Sequence, residues 1–341
     1  MLKKLKQTTL SSLKATGAFA MIQSSKWRRA RLLILGYHGI SIDDEDCWNP
    51  SLYMPRQLFA ERLSLIKKSG CTVLPLAEAL PRLYAGDLPE KSVAITFDDG
   101  TFDFYRQAFP LLGDFAYPAT LYLTTFYSQF NRPVFDVACP YVLWKGMGNR
   151  LNLGPVVGID ATFDLSLAAA RDAAWKEIRQ VVEAKKLSAE ERDELLRMLA
   201  GKINVDYDEF SQKRILQLVR ADEVKKLSAE GIDVQLHTHR HRTPQNRESF
   251  LREITDNQTS IREMTGRLAS HFCYPSGASS PKFLPWLHEA GIESATTCEL
   301  GLASRQSDPL LLPRLVDVSS LAAIEFESWL TGVSMALPRR R

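Results

Sequence analysis

Three of the six histidines in this 341-residue chain fall within five positions, at His237, His239 and His241. On an extended backbone all three would project to one side, and in a helix-like turn residues four apart would do so. Either way His237 and His241 can converge on one point, and imidazole pairs of this spacing are common ligands of first-row metals. The alternative is a polar loop whose histidines are merely solvated. A second cluster, Thr96-Phe97-Asp98-Asp99-Gly100, ends the apolar run Val93–Phe97. Two carboxylates directly after a buried run are costly unless something neutralises them. A divalent cation on one of them would do so and leave the other free for proton transfer; without it, their mutual repulsion would push their pKa values apart. Gly100 lets the chain turn sharply afterwards. Asp-Asp-Gly is also an ordinary turn sequence, and either carboxylate could cap a helix starting near Thr101.

Both clusters sit where an apolar run ends, which raises the question of what those runs are. From residue 32 onward short apolar stretches alternate with helical patterns. The spacing predicts strands at Leu32–Tyr37, Ser92–Phe97, Ala119–Leu123, Asp233–Leu236, His271–Tyr274 and Ser294–Thr297, with a final extended stretch at Leu312–Val316. Between them helices are expected at Leu58–Lys68, Thr101–Gly113, Ala221–Glu230, Ser249–Thr265 and Pro281–Ala290. Gly70, Gly231, Gly266 and Gly291 lie just past four of these, where helices commonly end. Such alternation indicates parallel βα units, and six or seven of them suit a closed barrel. Residues from about 131 to 218 break the rhythm. They hold no convincing strand but carry long helical patterns at Ala168–Val182 and Ser188–Ile203, the second opened by a Ser188-x-x-Glu191 capping box. This reads as a helical insertion over the barrel mouth, because insertions in such folds lengthen the loops after the strands.

The order of motifs resembles the polysaccharide deacetylase family, also known as the NodB-homology or carbohydrate esterase 4 group. Thr96-Phe97-Asp98-Asp99-Gly100 and His237-Thr238-x-x-His241 are its two most specific elements. Leu35-Gly36-Tyr37-His38-Gly39-Ile40 resembles its Tyr-His opening, Pro118–Leu123 its second strand, and Phe272-Cys273-Tyr274-Pro275-Ser276-Gly277 its third motif. The resemblance covers roughly residues 32–125 and 220–317. It implies an α/β fold, a distorted (β/α)7 barrel with the helical insertion, and a metal-dependent hydrolase that removes acetyl or other small acyl groups from an N-acylated polysaccharide or a lipid-linked sugar. Asp99, His237 and His241 match the family's ligands for a divalent metal, usually zinc. Asp98 matches its catalytic base, and the third motif places Tyr274 and Pro275 against the substrate. Two elements depart from the pattern. The third motif usually carries an arginine that orients the base, where this chain has Cys273, and the late Leu-x-x-His that supplies the general acid is replaced by Leu312-Pro313-Arg314-Leu315-Val316-Asp317. Arg314 could supply the guanidinium from another strand, and His38, which ends the first strand on the same barrel face, is the candidate acid. With two elements missing, a carbohydrate-binding barrel without activity, or an amide hydrolase or deformylase on a non-polymeric substrate, uses the same residues.

Composition narrows the rest. The five cysteines form no C-x-x-C pair, which fits a reducing, cytoplasmic setting without a zinc ribbon or a disulfide framework. The formal charge of +3 hides eight basic and no acidic residues in the leader, residues 1–31, so the remaining chain, 32–341, carries −5 and has no global pull toward nucleic acid. Leu2, Leu5, Leu10 and Leu13 stand at helical spacing among lysines, so residues 1–28 could lie peripherally on an anionic membrane such as the inner membrane face; the alternative is a frayed, solvated leader. No run is long and apolar enough to span a bilayer. Asn257-Gln258-Thr259 matches a glycosylation sequon but is read as accidental.

Overall fold

A computed structural model describes residues 2–336; Met1 and residues 337–341, the end of the expected barrel range, lie outside it. Seven parallel strands carry the architecture: β1 Arg31–Tyr37, β2 Ser92–Phe97, β3 Thr120–Leu123, β4 Asp233–Leu236, β5 His271–Cys273, β6 Ser294–Thr296 and β7 Leu315–Val316. Pairing runs β6-β5-β4-β3-β2-β1-β7, all parallel. A bridge between Thr296 and Leu312, just ahead of β7, joins the two ends of this curled sheet. Closure at that seam is thin, which is the distortion of the (β/α)7 barrel. Helices follow each strand except β6, whose connection instead lays Ala303–Ser304 antiparallel to the start of β1.

Strand alternation decides which side chains face the barrel interior. On β1, Leu33, Leu35 and Tyr37 pack outward under the helices, while Leu32 and Ile34 point inward with Ala94, Tyr122, Cys273 and Leu312. Continuing the same phase past the strand ends brings Gly36 and His38, Thr96 and Asp98, and His237 to the inner face. The barrel geometry, more than any loop, gathers the chemistry at the C-terminal ends of the strands.

The insertion folds around a core of its own, built from helices Phe135–Lys145, Ala168–Lys185, Ala189–Lys202 and Tyr207–Gln212. Ser188 and Glu191 form the expected reciprocal capping box. The expectation of a strandless insertion needs correcting: Arg150–Asn152 pairs with Thr162–Asp164 as a short antiparallel ladder, three residues on each side and too brief to show a period. The returning chain stitches the insertion to the acidic motif, because Val219 N–H donates to Gly100 O at 2.9 Å and Phe102 N–H to Gln217 O at 2.8 Å. The helix expected over Thr101–Gly113 begins as a π turn, Phe104–Ala108, before Phe109–Phe115 becomes α-helical. Pro110, which lacks an N–H and crowds the preceding turn, accounts for that widening.

The basic leader is not frayed. Helix Leu2–Ala15 docks along the C-terminal helix Ala323–Thr331, with Leu10 fully buried against Phe19 and Val333. Lys6 pairs with Glu325 at 2.9 Å, and Lys14 pairs with Glu327. Arg28 is completely buried and donates to the carbonyls of Leu330, Arg31 and Ser92 at 2.9, 2.8 and 3.4 Å. Part of the apolar face that suggested a membrane contact is therefore used within the fold, and the leader is integral to the barrel. The C-terminal helix carries Glu325, Glu327, Ser328 and Thr331 among its apolar residues and lies beyond the last expected strand. No helix among the described residues is long and apolar enough to cross a membrane.

Candidate active site

Asp98 and Asp99 leave β2 in opposite directions because the backbone turns between them. Asp99 has φ 70° and Gly100 φ 82°, the left-handed region that costs a non-glycine residue energy. At Gly100 a side chain would also meet Leu123 Cδ1 at 2.3 Å. His241 and Thr238 adopt the same strained region, with φ of 56° and 61°. Three of the ten non-glycine residues with positive φ among the described residues thus belong to the two motifs.

Asp99, His237 and His241 are brought together. Asp99 Oδ1 lies 3.2 Å from His237 Nε2 and 3.3 Å from His241 Nε2. Three ligand atoms about 2.0–2.2 Å from one tetrahedral zinc ion stand roughly 3.3 Å apart, so the donor set fits the ion in type and spacing. His237 Nδ1 lies 2.8 Å from Cys273 O and, with its proton there, leaves Nε2 presenting a lone pair to the site. A rival grouping of Asp98, His237 and Cys273 also has ligand atoms within 4.8 Å. It is a poor cation site because the Arg314 guanidinium already sits on two of its members. Burial also pushes the Cys273 thiol well above its ordinary range, so it stays protonated.

Asp98 is paired with Arg314 through a planar fork. Arg314 Nη1 donates to Oδ1 at 2.8 Å and Nη2 to Oδ2 at 2.7 Å, with Arg314 fully buried and Asp98 3% exposed. Nε and Nη1 also donate to Thr297 O at 2.9 Å and Thr96 Oγ1 at 3.2 Å, so the guanidinium has a single orientation. Gly36 makes this possible, because a side chain there would press on the guanidinium carbon at 3.3 Å. Cys273 lies beside the pair, its Sγ 3.2 Å from Arg314 Nη2 and 3.5 Å from Asp98 Oδ2. Burial opposes ionisation of Asp98, but the Arg314 guanidinium, helped by His38 and His237, holds its carboxyl at about 2. Burial likewise opposes ionisation of Asp99, and the two imidazoles beside it hold its carboxyl well below the usual carboxylate range.

His38 reaches the same spot from the end of β1, with Nε2 3.7 Å from Asp98 Oδ2 and a side chain 19% exposed. Its Nδ1 is buried with no partner among the described residues. Tyr274 and Pro275 are not brought to the site. Tyr274 takes the outward phase of β5, is 1% exposed, and its hydroxyl donates to Leu310 O at 3.0 Å. Pro275 is buried beneath the adjoining turn. The remaining histidines are structural or peripheral: His239 meets Thr125 Oγ1 at 2.8 Å, His271 meets Ser294 Oγ at 2.9 Å, and His288 is exposed.

Two residues to which the sequence argument gave no role at the site hold the histidine loop. Asn257 is fully buried, accepts the His237 N–H at 2.9 Å, and donates to Leu123 O and Thr125 Oγ1 at 3.0 and 2.9 Å. One helical turn earlier, Glu253 accepts the Arg240 N–H at 2.7 Å while its backbone carbonyl accepts the His239 N–H at 3.1 Å. The sequon reading of Asn257 is thereby closed, since a side chain with no exposure cannot receive a glycan. The available signal was a polar pair spaced i, i+4 on the buried face of helix Arg247–Thr265.

Comparison with known proteins matches this arrangement. A family model described as polysaccharide deacetylase covers residues 85–295. The chain belongs to the polysaccharide deacetylase family. The Bacillus subtilis protein YxkH, named after these deacetylases, is 36% identical over 95 residues, 28% of this chain and 32% of its own length. Poly-beta-1,6-N-acetyl-D-glucosamine N-deacetylase of Escherichia coli is 26% identical over 101 residues, 29% of this chain and 15% of that protein. The aligned stretches thus span a third or less of these relatives. Among solved structures, the Streptococcus pyogenes deacetylase PplD in complex with acetate superposes with a TM-score of 0.57 at 18% identity, covering 86% of this chain and 96% of that one. That likeness shows the shared barrel fold.

Proposed function

We propose that this polysaccharide deacetylase family member is a metal-dependent hydrolase that removes acetyl groups from an N-acetylated glycan. The observation that carries the reading is the juxtaposition of an Arg314-clamped Asp98 with the converging Asp99, His237 and His241. A pair built only for stability would have no need of three ligand atoms aimed at a common point beside it. A divalent cation, zinc by the donor set, would be held by Asp99, His237 and His241 and would supply Lewis acidity toward the acyl carbonyl and water. Asp98 takes the proton of the attacking water, and the Arg314 fork keeps its carboxylate ionised and correctly turned. His38, within reach of Asp98 and partly exposed, gives a proton to the departing amine as the carbon–nitrogen bond breaks and acetate forms.

The mouth is a cavity of about 270 Å³ with Asp99, His241 and Thr124 on the barrel side and Val134, Val137 and Leu216 on the insertion side. A lipid-linked sugar and a soluble polymer could both present an N-acetyl group there. Contact with an anionic membrane through residues 1–28 is supported by Leu5, Met21 and Trp27, which remain exposed beside Lys4 and Lys26. The deciding experiment measures acetate release from neutral N-acetylated oligosaccharides and formate release from their N-formyl counterparts, with zinc content determined on the same sample. Acetate release that falls at least about a hundredfold in Asp98→Asn, with metal retained, is expected. No release by metal-loaded protein across the panel would overturn the hydrolase reading.

A further inference from the structure

Beside the catalytic mouth lies a second cavity, of about 280 Å³, between the barrel and the start of helix Ala189–Lys202. The two share Tyr127, Val134, Asp136, Arg240 and Arg242 as common walls. Each alone falls below the roughly 300–1,000 Å³ of an ordinary ligand pocket, whereas the two in series reach it. Four arginines line the second cavity, Arg132, Arg192, Arg240 and Arg242, against two aspartates, Asp136 and Asp193. Asp193 is already engaged by the Tyr207 hydroxyl. Arg240 and Arg132 lie over the rings of Phe126 and Phe130 at 5.4 and 5.5 Å, so their guanidinium groups are supported on aromatic faces. They also pair with Glu253 and Glu190. Arg192 and Arg242 make no ion pair among the described residues; Arg192 only donates through Nε to Leu187 O, and Arg242 is exposed.

We infer that this second cavity is a subsite for an oxyanion, a phosphate or a carboxylate, carried on the glycan beside the sugar whose amide is cleaved. Guanidinium forks suit both anions, and two of the four have no competing acid. The inference rests on the glycan-hydrolase reading for the substrate's frame, but the binding itself requires no turnover.

The test is calorimetric titration of the full chain at low salt with three N-acetylated tetrasaccharides: neutral, bearing a phosphate monoester, and bearing a uronate. The readout is the ratio of neutral to anionic Kd. We expect a ratio of at least about 10 for one or both anionic ligands, and whichever binds tighter identifies the anion. Arg192→Gln and Arg242→Gln should each bring that ratio toward one. Because the Arg242 side chain is exposed, that variant keeps the test valid should Arg192→Gln fail to fold. Equal Kd values for all three ligands in the native protein, or a ratio untouched by Arg242→Gln, would overturn the subsite. Discriminating binding without acetate release would instead sink the hydrolase reading and leave the subsite standing.

Discussion

Replacing Arg314 with Ala removes one half of a deeply buried ion pair. Arg314 is fully buried and Asp98 is 3% exposed, and the carboxylate left behind loses two hydrogen bonds of 2.7 and 2.8 Å. Breaking a buried pair by removing one partner destabilises by about 3–5 kcal/mol. At roughly 2 °C per kcal/mol for a chain of this size, the melting temperature should fall on the order of 6–10 °C. Turnover should fall by about a hundredfold or more, since Asp98 loses the group that orients it. Metal content should stay near that of the native protein, because Arg314 touches none of Asp99, His237 and His241. Arg314→Lys should not rescue turnover, an ammonium being unable to reproduce the fork. Adding Asp98→Asn to Arg314→Ala should recover part of the lost stability, since no buried charge then stands alone, and none of the lost turnover. The assays are thermal denaturation, elemental analysis and acetate release on these three variants and the native protein. An Arg314→Ala protein that melts and turns over like the native one would refute the argument.

Removing His237 or His241 takes away one of three protein ligands, so zinc content after dialysis should drop well below one equivalent for each Ala variant; a full equivalent in the double variant would contradict the ligand assignment. Asn257→Ala should weaken metal affinity by about 10–100-fold, the usual effect of releasing a group that positions a ligand, and a chelator competition titration showing native affinity would contradict it. Deleting residues 1–28 should lower the melting temperature, because burial of Leu10 and Phe19 is worth about 1.5–3 kcal/mol each and the carbonyls of Leu330, Arg31 and Ser92 lose the Arg28 guanidinium that bonds them. Unchanged melting would mean that the leader contributes nothing to the fold. In an Arg314→Ala background, Cys273→Arg should raise turnover at least about tenfold, since Cys273 Sγ already lies 3.5 Å from Asp98 Oδ2; acetate release no higher than in the single variant would show that the position cannot deliver a guanidinium.

The sequence carried most of the barrel because its signal is local. Ser92–Phe97 and Asp233–Leu236 are uninterrupted apolar or alternating runs with firm boundaries, and they coincide with β2 and β4. The convergence of the candidate metal set was legible for the same reason, since the carboxylate and both imidazoles sit directly after those strands. Tyr274 was misplaced because a motif read as a string does not show parity: Cys273 points into the barrel and its neighbour points out. The leader's fate depended on a surface contributed from more than 300 residues away, and no periodicity within residues 1–31 could reveal Glu325 or Val333. Asn257 and Glu253 were hidden because their role is to bond backbone groups of another loop, which leaves no trace in the composition of either segment.

Parity also explains how the guanidinium could change strands. Cys273 on β5 and Arg314 just ahead of β7 both face the barrel axis, and both lie within 3.5 Å of the same carboxylate or its partner. A narrow barrel makes its inner positions near-equivalent, because side chains from non-adjacent strands meet at the centre. An arginine can then serve Asp98 from either wall, provided the other wall yields the space. Here it does so twice: a small thiol stands at residue 273, and a glycine at residue 36 leaves room for the guanidinium carbon. The carboxylate therefore meets a buried two-pronged hydrogen bond next to a cluster of metal-type ligands, supplied by Arg314 although the position where the resemblance expects an arginine holds Cys273.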